Sequence, residues 1–453
     1  MSLRGRLPGA AAILAGALLL AWPALLNGYP LVFSDTGGFL HQTLGPLMLW
    51  DKPWVYGPVL HLFHWRVSLW LPLAAQALVV SHLLWVTQRV LRGGATPAAQ
   101  LLVCAVAALT TAPFTVAMLM PDIFAPVVVL ALALLGFAWR RLSRGEVAWL
   151  LVLGTVGTAA HLSHLPLALA VALLPLLGLC WRGAALAAVP LAAAVALLLA
   201  TNLVGHARAV LSPHGATFLL ARLQADGPAA AVIGARCPDA GWYLCAFADR
   251  LPMDANDFLW DAGSPVNRAP DGTPRFLGGA LLSAEAGRIV GETLRAYPVA
   301  VGRAILHNTI MQLVTTGIGD TLGADNLVAA LRPRVAEGFP PRELADYDAA
   351  LQPRGALRAA VMPVAPIHAP MLLAALPLLG LAGWRAVRAR DSVRIGLLAA
   401  IIVGVVGNAA ATGGLSGVFP RYQARIAWLL PVGALVLLLP RRAVAAPARD
   451  AAP

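Results

Sequence analysis

Charge is what this sequence has least of. Only 12% of its 453 residues are Asp, Glu, Lys or Arg, against about 25% in soluble globular chains. The 59% hydrophobic content that accompanies this scarcity excludes a soluble enzyme. Lysine is nearly missing: Lys52 is the one lysine among 33 basic residues, which reads as a composition-wide preference for arginine and carries no functional weight. Cysteine is rare, with four in all and no CxxC pair. No Walker loop, GxGxxG or HExxH stands in a suitable context, and no repeat has a fixed period, so zinc ribbons, ATPases and Rossmann enzymes have no support.

What is present is apolar sequence in lengths that match a bilayer, for which a crossing needs ~20 residues. Ten segments bounded by polar or basic residues are expected to cross, at about 9–27, 66–89, 97–118, 122–139, 146–162, 165–181, 184–204, 362–384, 395–415 and 425–440. The first follows Arg4 and Arg6 like a signal peptide, but no small-residue cleavage site stands between Trp22 and Tyr29, so an uncleaved helix is expected. Ten crossings put both termini on one side.

Charge tests that topology. The turns on the side of the termini hold Arg4, Arg6, Arg89, Arg92, Arg140, Arg141, Arg144, Arg182, Arg385, Arg388, Arg390, Arg394, Arg441, Arg442 and Arg449, against Glu146, Asp391 and Asp450. Fifteen cations over three acids account for the whole formal charge of +12. This is the positive-inside pattern of a multi-pass protein of the cytoplasmic (inner) membrane, with both termini cytoplasmic. A basic chain of this kind needs no nucleic-acid partner. Segment 299–317 is apolar enough to cross but contains Arg303, His307, Asn308 and Gln312. A crossing there would move the Arg-rich turn 385–394 outside, so an interfacial or re-entrant helix is expected. The fold class is therefore an all-α polytopic membrane protein with about ten transmembrane helices. Seven spans lie in 1–204, an extracytoplasmic α-rich or mixed insert in 205–361, and three spans in 362–453. Within the insert, 283–296 reads as a helix that Ser283 can cap.

Cys104 and Cys180 fall inside spans and read as small packing residues. Cys237 and Cys245 lie eight apart on the oxidising face, where a loop-closing disulfide is expected, the alternative being two unpaired thiols.

The polar residues near the membrane gather in the outer turns. Asp35 follows the first span closely and precedes Gly37 and Gly38, which let backbone approach a substrate; its other use is to cap the helix that follows. Further along the same loop come Asp51 and Lys52, and with them Trp50, Trp54, Tyr56, Phe63, Trp65 and Trp70 interleaved with His61 and His64, an aromatic band that serves as interfacial belt, sugar-stacking surface or prenyl groove. Asp122 opens the fourth span after Pro121, where the helix dipole also favours an acid. His161 and His164 share a helical face and can orient substrate, hold a divalent metal ion with Asp35 or Asp122, or be structural. The last outer turn brings Arg421, Tyr422 and Arg425, whose two guanidinium forks suit a diphosphate or lipid head groups.

An acid in the first outer loop (Asp35), another between spans three and four (Asp122), short remaining turns and a late soluble insert together resemble the GT-C superfamily of integral-membrane glycosyltransferases, which includes protein mannosyltransferases and lipid A aminoarabinose transferases. The resemblance covers the spans to about residue 204. It departs from the family in the residues after Asp35 and in having Pro121-Asp122 where paired acids are usual. It implies a polyprenyl-phosphate-linked sugar donor and an acceptor hydroxyl on an outer-face lipid, glycan or protein, transferred with inversion. Asp35 would be the base, Arg421 and Arg425 would meet the departing phosphate, and Asp122, His161 and His164, with Asp51, Lys52 and Tyr422, would bind or orient substrate. Two other classes stand beside it: a lipid-linked glycan flippase or transporter, which would need more charge within its spans than this chain has, and a structural subunit of an envelope-assembly complex.

Overall fold

Backbone amides inside a bilayer have no water to bond, so an apolar run there must satisfy its N–H and C=O groups within its own helix. The computed structural model describes residues 3–45 and 47–442, with the side chains of residues 3–6 left aside, and is all-helical, with no strand among the described residues. Of the charges assigned above, Arg449 and Asp450 and the side chains of Arg4 and Arg6 lie outside the described residues. Five helices are long and apolar enough to cross a membrane: Trp70–Arg92, Pro121–Arg141, Trp181–His206, Ala365–Arg388 and Ser392–Gly414. Shorter apolar helices at Leu7–Leu20, Pro97–Ala108 and His164–Leu177 stand with them.

The chain opens with α1 (Leu3–Leu20), α2 (Trp22–Asn27), α3 (Ser34–Leu44), α4 (Tyr56–His64), α5 (Trp70–Arg92), α6 (Pro97–Ala108), α7 (Ala112–Ala117), α8 (Phe124–Ala138), α9 (Arg144–Ala159), α10 (His164–Leu177) and α11 (Trp181–His206). Local chemistry sets their ends. Thr96 caps α6 by accepting from Ala99 N, and Ser143 with Glu146 forms a reciprocal capping box on α9. Gly93 ends α5 in the left-handed region at φ 75°. Charge-free α8 is buried on nearly all sides and touches α5, α9, α10 and α11.

The stretch read as one insert divides in its packing. First, α12 (Gly215–Ala225), α13 (Pro228–Arg236), α14 (Ala255–Trp260), α15 (Gly278–Ala296) and α16 (Pro298–Val314) build a lobe with its own core around Leu220, Ile233, Leu244, Phe258 and Ile289. The Cys237–Cys245 disulfide ties a loop of this lobe. Next, α17 (Leu327–Ala330), α18 (Arg332–Gly338), α19 (Pro341–Ala349) and α20 (Leu357–Val361) pack into the main core. These helices are too short to enclose a core alone, and they find one on the loop after α2. Glu343 Oε1 accepts from Tyr29 Oη at 2.8 Å and Leu69 N at 2.7 Å, and the Gln352 amide exchanges hydrogen bonds with both backbone groups of Val32. Gly37 lies against the Ala330 carbonyl so closely that a Cβ would overlap it. That glycine thus serves packing of α17 on α3, not the approach of a substrate.

The chain closes with α21 (His368–Arg388), α22 (Ser392–Ala409), a π turn at Ala410–Gly414, α23 (Pro420–Ala427) and α24 (Leu429–Leu438). Within segment 299–317, α16 lies along α22 and the π turn. Asn308 and Gln312 are buried, while Val299, Leu306, Ile310 and Val314 are exposed together with Arg303 and His307.

Hydrogen bonds gather alternate turns at opposite ends of the bundle. At one end Arg89 pairs with Glu146 at 2.7 Å, Arg92 donates to Pro440 O, Arg394 donates to Leu437 O and Leu439 O, and Arg441 pairs with Asp391. The other end carries the acidic and aromatic turns.

Candidate functional site

Three turns are stitched together at that second end. Leu31 N donates to Ala117 O and Leu119 N to Leu31 O, an isolated parallel bridge that lays the first outer loop along the turn before Asp122. Thr36 reinforces it: its hydroxyl donates to Leu119 O at 3.0 Å and accepts from Phe33 N at 2.9 Å. The hydroxyl of Thr111 donates to Ala424 O at 2.6 Å and brings in α23.

Asp35 stands in the first turn of α3, where the helix dipole favours a carboxylate. Cap chemistry falls to Thr36, so the Asp35 carboxylate is left for Lys52, whose Nζ is 3.1 Å away. Lys52 pairs at the same time with Asp51, and its ammonium lies 5.9 Å from the Phe39 ring centroid and 6.0 Å from that of Trp260. Burial acts to raise the Asp35 pKa, but Lys52 and Arg421 outweigh it and hold the carboxyl below its ordinary value. Burial likewise acts against the charge of Lys52, and Asp35 and Asp51 outweigh it, so that the ammonium titrates above the ordinary lysine value.

Arg421 is held without an ion pair among the described residues. A Gln312 clamp shapes its turn: Phe419 N donates to Gln312 Oε1 at 3.0 Å, and Gln312 Nε2 donates to Phe419 O at 2.8 Å. Its backbone N–H donates to Asp320 Oδ2 at 3.2 Å. The guanidinium itself lies 4.0 Å from the Phe33 ring centroid and 5.0 Å from that of Tyr422, held by aromatic faces. Among the described residues no carboxylate forms an ion pair with it, and its Nε is buried without a hydrogen-bond partner.

Arg425 differs in every respect. It is 1% exposed, and its guanidinium is fully engaged: Nη1 lies 3.3 Å from Asp122 Oδ1, Nε and Nη2 donate to Asn408 Oδ1 at 3.0 and 2.8 Å, and Nη2 donates to Ser163 Oγ at 2.9 Å. Asp122, placed among the acids of the site from sequence, is thereby the buried partner of a structural cation and faces no open space. Ser163 Oγ also bonds His161 Nδ1 at 2.8 Å, and His164 Nδ1 bonds Gly157 O at 2.7 Å with the two imidazole rings 5.3 Å apart.

Among the described residues no group of three or more His, Cys, Asp or Glu converges, and Asp35 and Asp122 each already face a cation, so these residues fit a metal ion poorly.

Nine of the residues singled out from sequence therefore belong to one neighbourhood. Asp35, Asp51, Lys52, His161, Arg421 and Tyr422 are half-buried, and Asp122, His164 and Arg425 are buried. Cys237 and Cys245 lie apart in the lobe. Gln312, Phe33, Ser163 and Trp260 join the site unannounced. Val59, Phe63, Pro72, Val79, Phe124 and Val127 of α4, α5 and α8 line a small apolar groove of about 50 Å³ next to Asp122 in the chain. Comparison with protein-family models, curated proteins and solved structures finds no match to this chain.

Proposed function

We propose that the chain is a GT-C-like integral-membrane glycosyltransferase that moves a sugar from a polyprenyl-phosphate donor to an outer-face hydroxyl. The observation that carries this reading is a guanidinium, Arg421, held without an ion pair among the described residues on the ring of Phe33, which stands two residues along the chain from Asp35, whose carboxylate Lys52 holds. The ten-span topology belongs to the same proposal, with the arginine-rich end cytoplasmic, both termini there, and the site and the lobe outside.

In the reaction so read, Arg421 binds the phosphodiester oxygens of the donor, and the prenyl chain leaves along the apolar groove. Asp35 takes the proton from the acceptor hydroxyl. The freed oxygen bonds to C1 of the sugar as the C1–O bond to phosphate breaks, and the electron pair departs on the polyprenyl phosphate, where Arg421 meets the growing charge. Attack opposite the leaving group inverts the anomeric centre. Donor binding also prepares the base. The phosphodiester charge offsets Arg421, one of the two cations that depress Asp35, so the carboxylate becomes more basic when its substrate is in place.

Reconstituted chain in proteoliposomes, supplied with a panel of radiolabelled polyprenyl-phosphate sugars and a crude envelope-lipid acceptor, should consume at least one donor. Arg421→Ala should raise the donor KM and lower kcat together, because the phosphate is held in the ground state and gains charge as it leaves. Consumption of no donor by the wild-type chain, or full activity in Arg421→Ala, would contradict the reading.

A further inference from the structure

The lobe reaches the site through aromatic rings. Trp50, just before Asp51, stacks on Phe218 at 5.4 Å and an interplanar angle of 24°, lies 5.9 Å from Trp260, and packs so tightly on Gly279 of α15 that no Cβ fits there. Trp50 and Phe218 are thereby consumed in docking the lobe. Trp260 is not: it ends α14 with 48% of its surface exposed. Its ring is 6.0 Å from the Lys52 ammonium, which is itself 3.1 Å from Asp35. The exposed acids Asp257 and Asp261 flank it in sequence.

We infer that Trp260 is the acceptor subsite and that the acceptor is a carbohydrate, its pyranose ring lying on the indole face. The inference rests on the transferase reading and adds to it the chemical class of the acceptor. A pyranose presents axial C–H groups on its face and hydroxyls around its rim. A half-exposed indole that the Lys52 ammonium overlies at 6.0 Å offers the matching surface, an apolar face with charge beside it. A ring seated there holds a rim hydroxyl toward Lys52 and Asp35, as the proton transfer to Asp35 requires. An acceptor without a ring, such as a plain lipid alcohol or a serine-bearing peptide, has nothing to lay on Trp260.

The test compares acceptors in proteoliposomes of the full chain with whichever donor it consumes. Alkyl glycosides of gluco, galacto and manno configuration are set against a long-chain alcohol and a serine peptide. At least one glycoside should be the preferred acceptor. Trp260→Leu keeps apolar volume beside Phe218 and Trp50 but removes the aromatic face, and should raise the acceptor KM about tenfold with the donor KM unchanged. Trp260→Phe should recover most of the loss, which a merely structural role would not require. Preference for the alcohol or the peptide, or an unchanged acceptor KM in Trp260→Leu, overturns the acceptor assignment while donor consumption and its loss in Arg421→Ala still stand. A Trp260→Leu chain that fails to form the Cys237–Cys245 disulfide shifts the decision to Trp260→Phe and the acceptor preference.

Discussion

Asp35→Asn should lower sugar transfer by about 10²–10⁴-fold, the range that removal of a general base produces, with expression and donor binding unchanged. Asparagine keeps the shape of the side chain and its place in the first turn of α3, while Lys52 retains Asp51 as a partner, so the fold has little reason to change. The pH profile supplies the sign. Asp35 is held below its ordinary value, so the acid limb of kcat/KM in the free enzyme should lie below the ~3.9 of an unperturbed aspartate. Lys52→Met removes the nearest depressing cation, raises the Asp35 pKa and should move that limb to higher pH. Full transfer by Asp35→Asn would remove it as the base.

The second large effect is on folding. Asp122 and Arg425 are 3% and 1% exposed, and removing either leaves the other charged, buried and uncompensated. Asp122→Ala or Arg425→Ala should each destabilise by about 3–5 kcal/mol, read as loss of folded chain in detergent thermal denaturation. Asp122→Asn combined with Arg425→Met should cost less than the sum of the two single changes, because the pair disappears as a unit. Arg421→Ala, whose guanidinium has no ion-pair partner among the described residues, should leave thermal stability nearly unchanged. This contrast separates the buried pair from the residue proposed to meet the donor. Two arginines four residues apart on one short helix should give opposite phenotypes.

That contrast was not legible in the sequence, and the reason is physical. Arg421 and Arg425 look alike in a list of cations, and which is engaged depends on partners 303 residues away for Asp122 and 17 for Asn408. What the sequence does carry is which turns share an end of the bundle. In a helical membrane chain alternate turns must fall together, so Asp35, Asp122, His161 and Arg421 could be grouped before any coordinate was known. Hydropathy also marked segment 299–317 as unusual, since Asn308 and Gln312 interrupt it. It did not say that Gln312 would clamp the turn before Arg421. The division of 205–361 was hidden for a similar reason. Short amphipathic helices such as α18 and α20 carry the same apolar pattern whether they close a separate core or seal the loop after α2, and the fit of Gly37 to the Ala330 carbonyl and the bonds of Glu343 and Gln352 to Tyr29 and Val32 distinguish the two. Trp260 carried no signal at all, being one tryptophan among 13.

On the proposed reading Arg421 faces the phosphate whose bond to C1 breaks, and Asp35 the acceptor hydroxyl whose oxygen bonds to C1. A cryo-electron microscopy structure of the wild-type chain in lipid nanodiscs with a saturating polyprenyl phosphate tests it most directly. Phosphate density within hydrogen-bond reach of the Arg421 guanidinium, on the side that faces Asp35, with the prenyl chain entering the groove between α4, α5 and α8, is the expected result. Phosphate seated among Arg394, Arg441 and Arg92 at the opposite end of the bundle, with the Arg421 site empty, would contradict it.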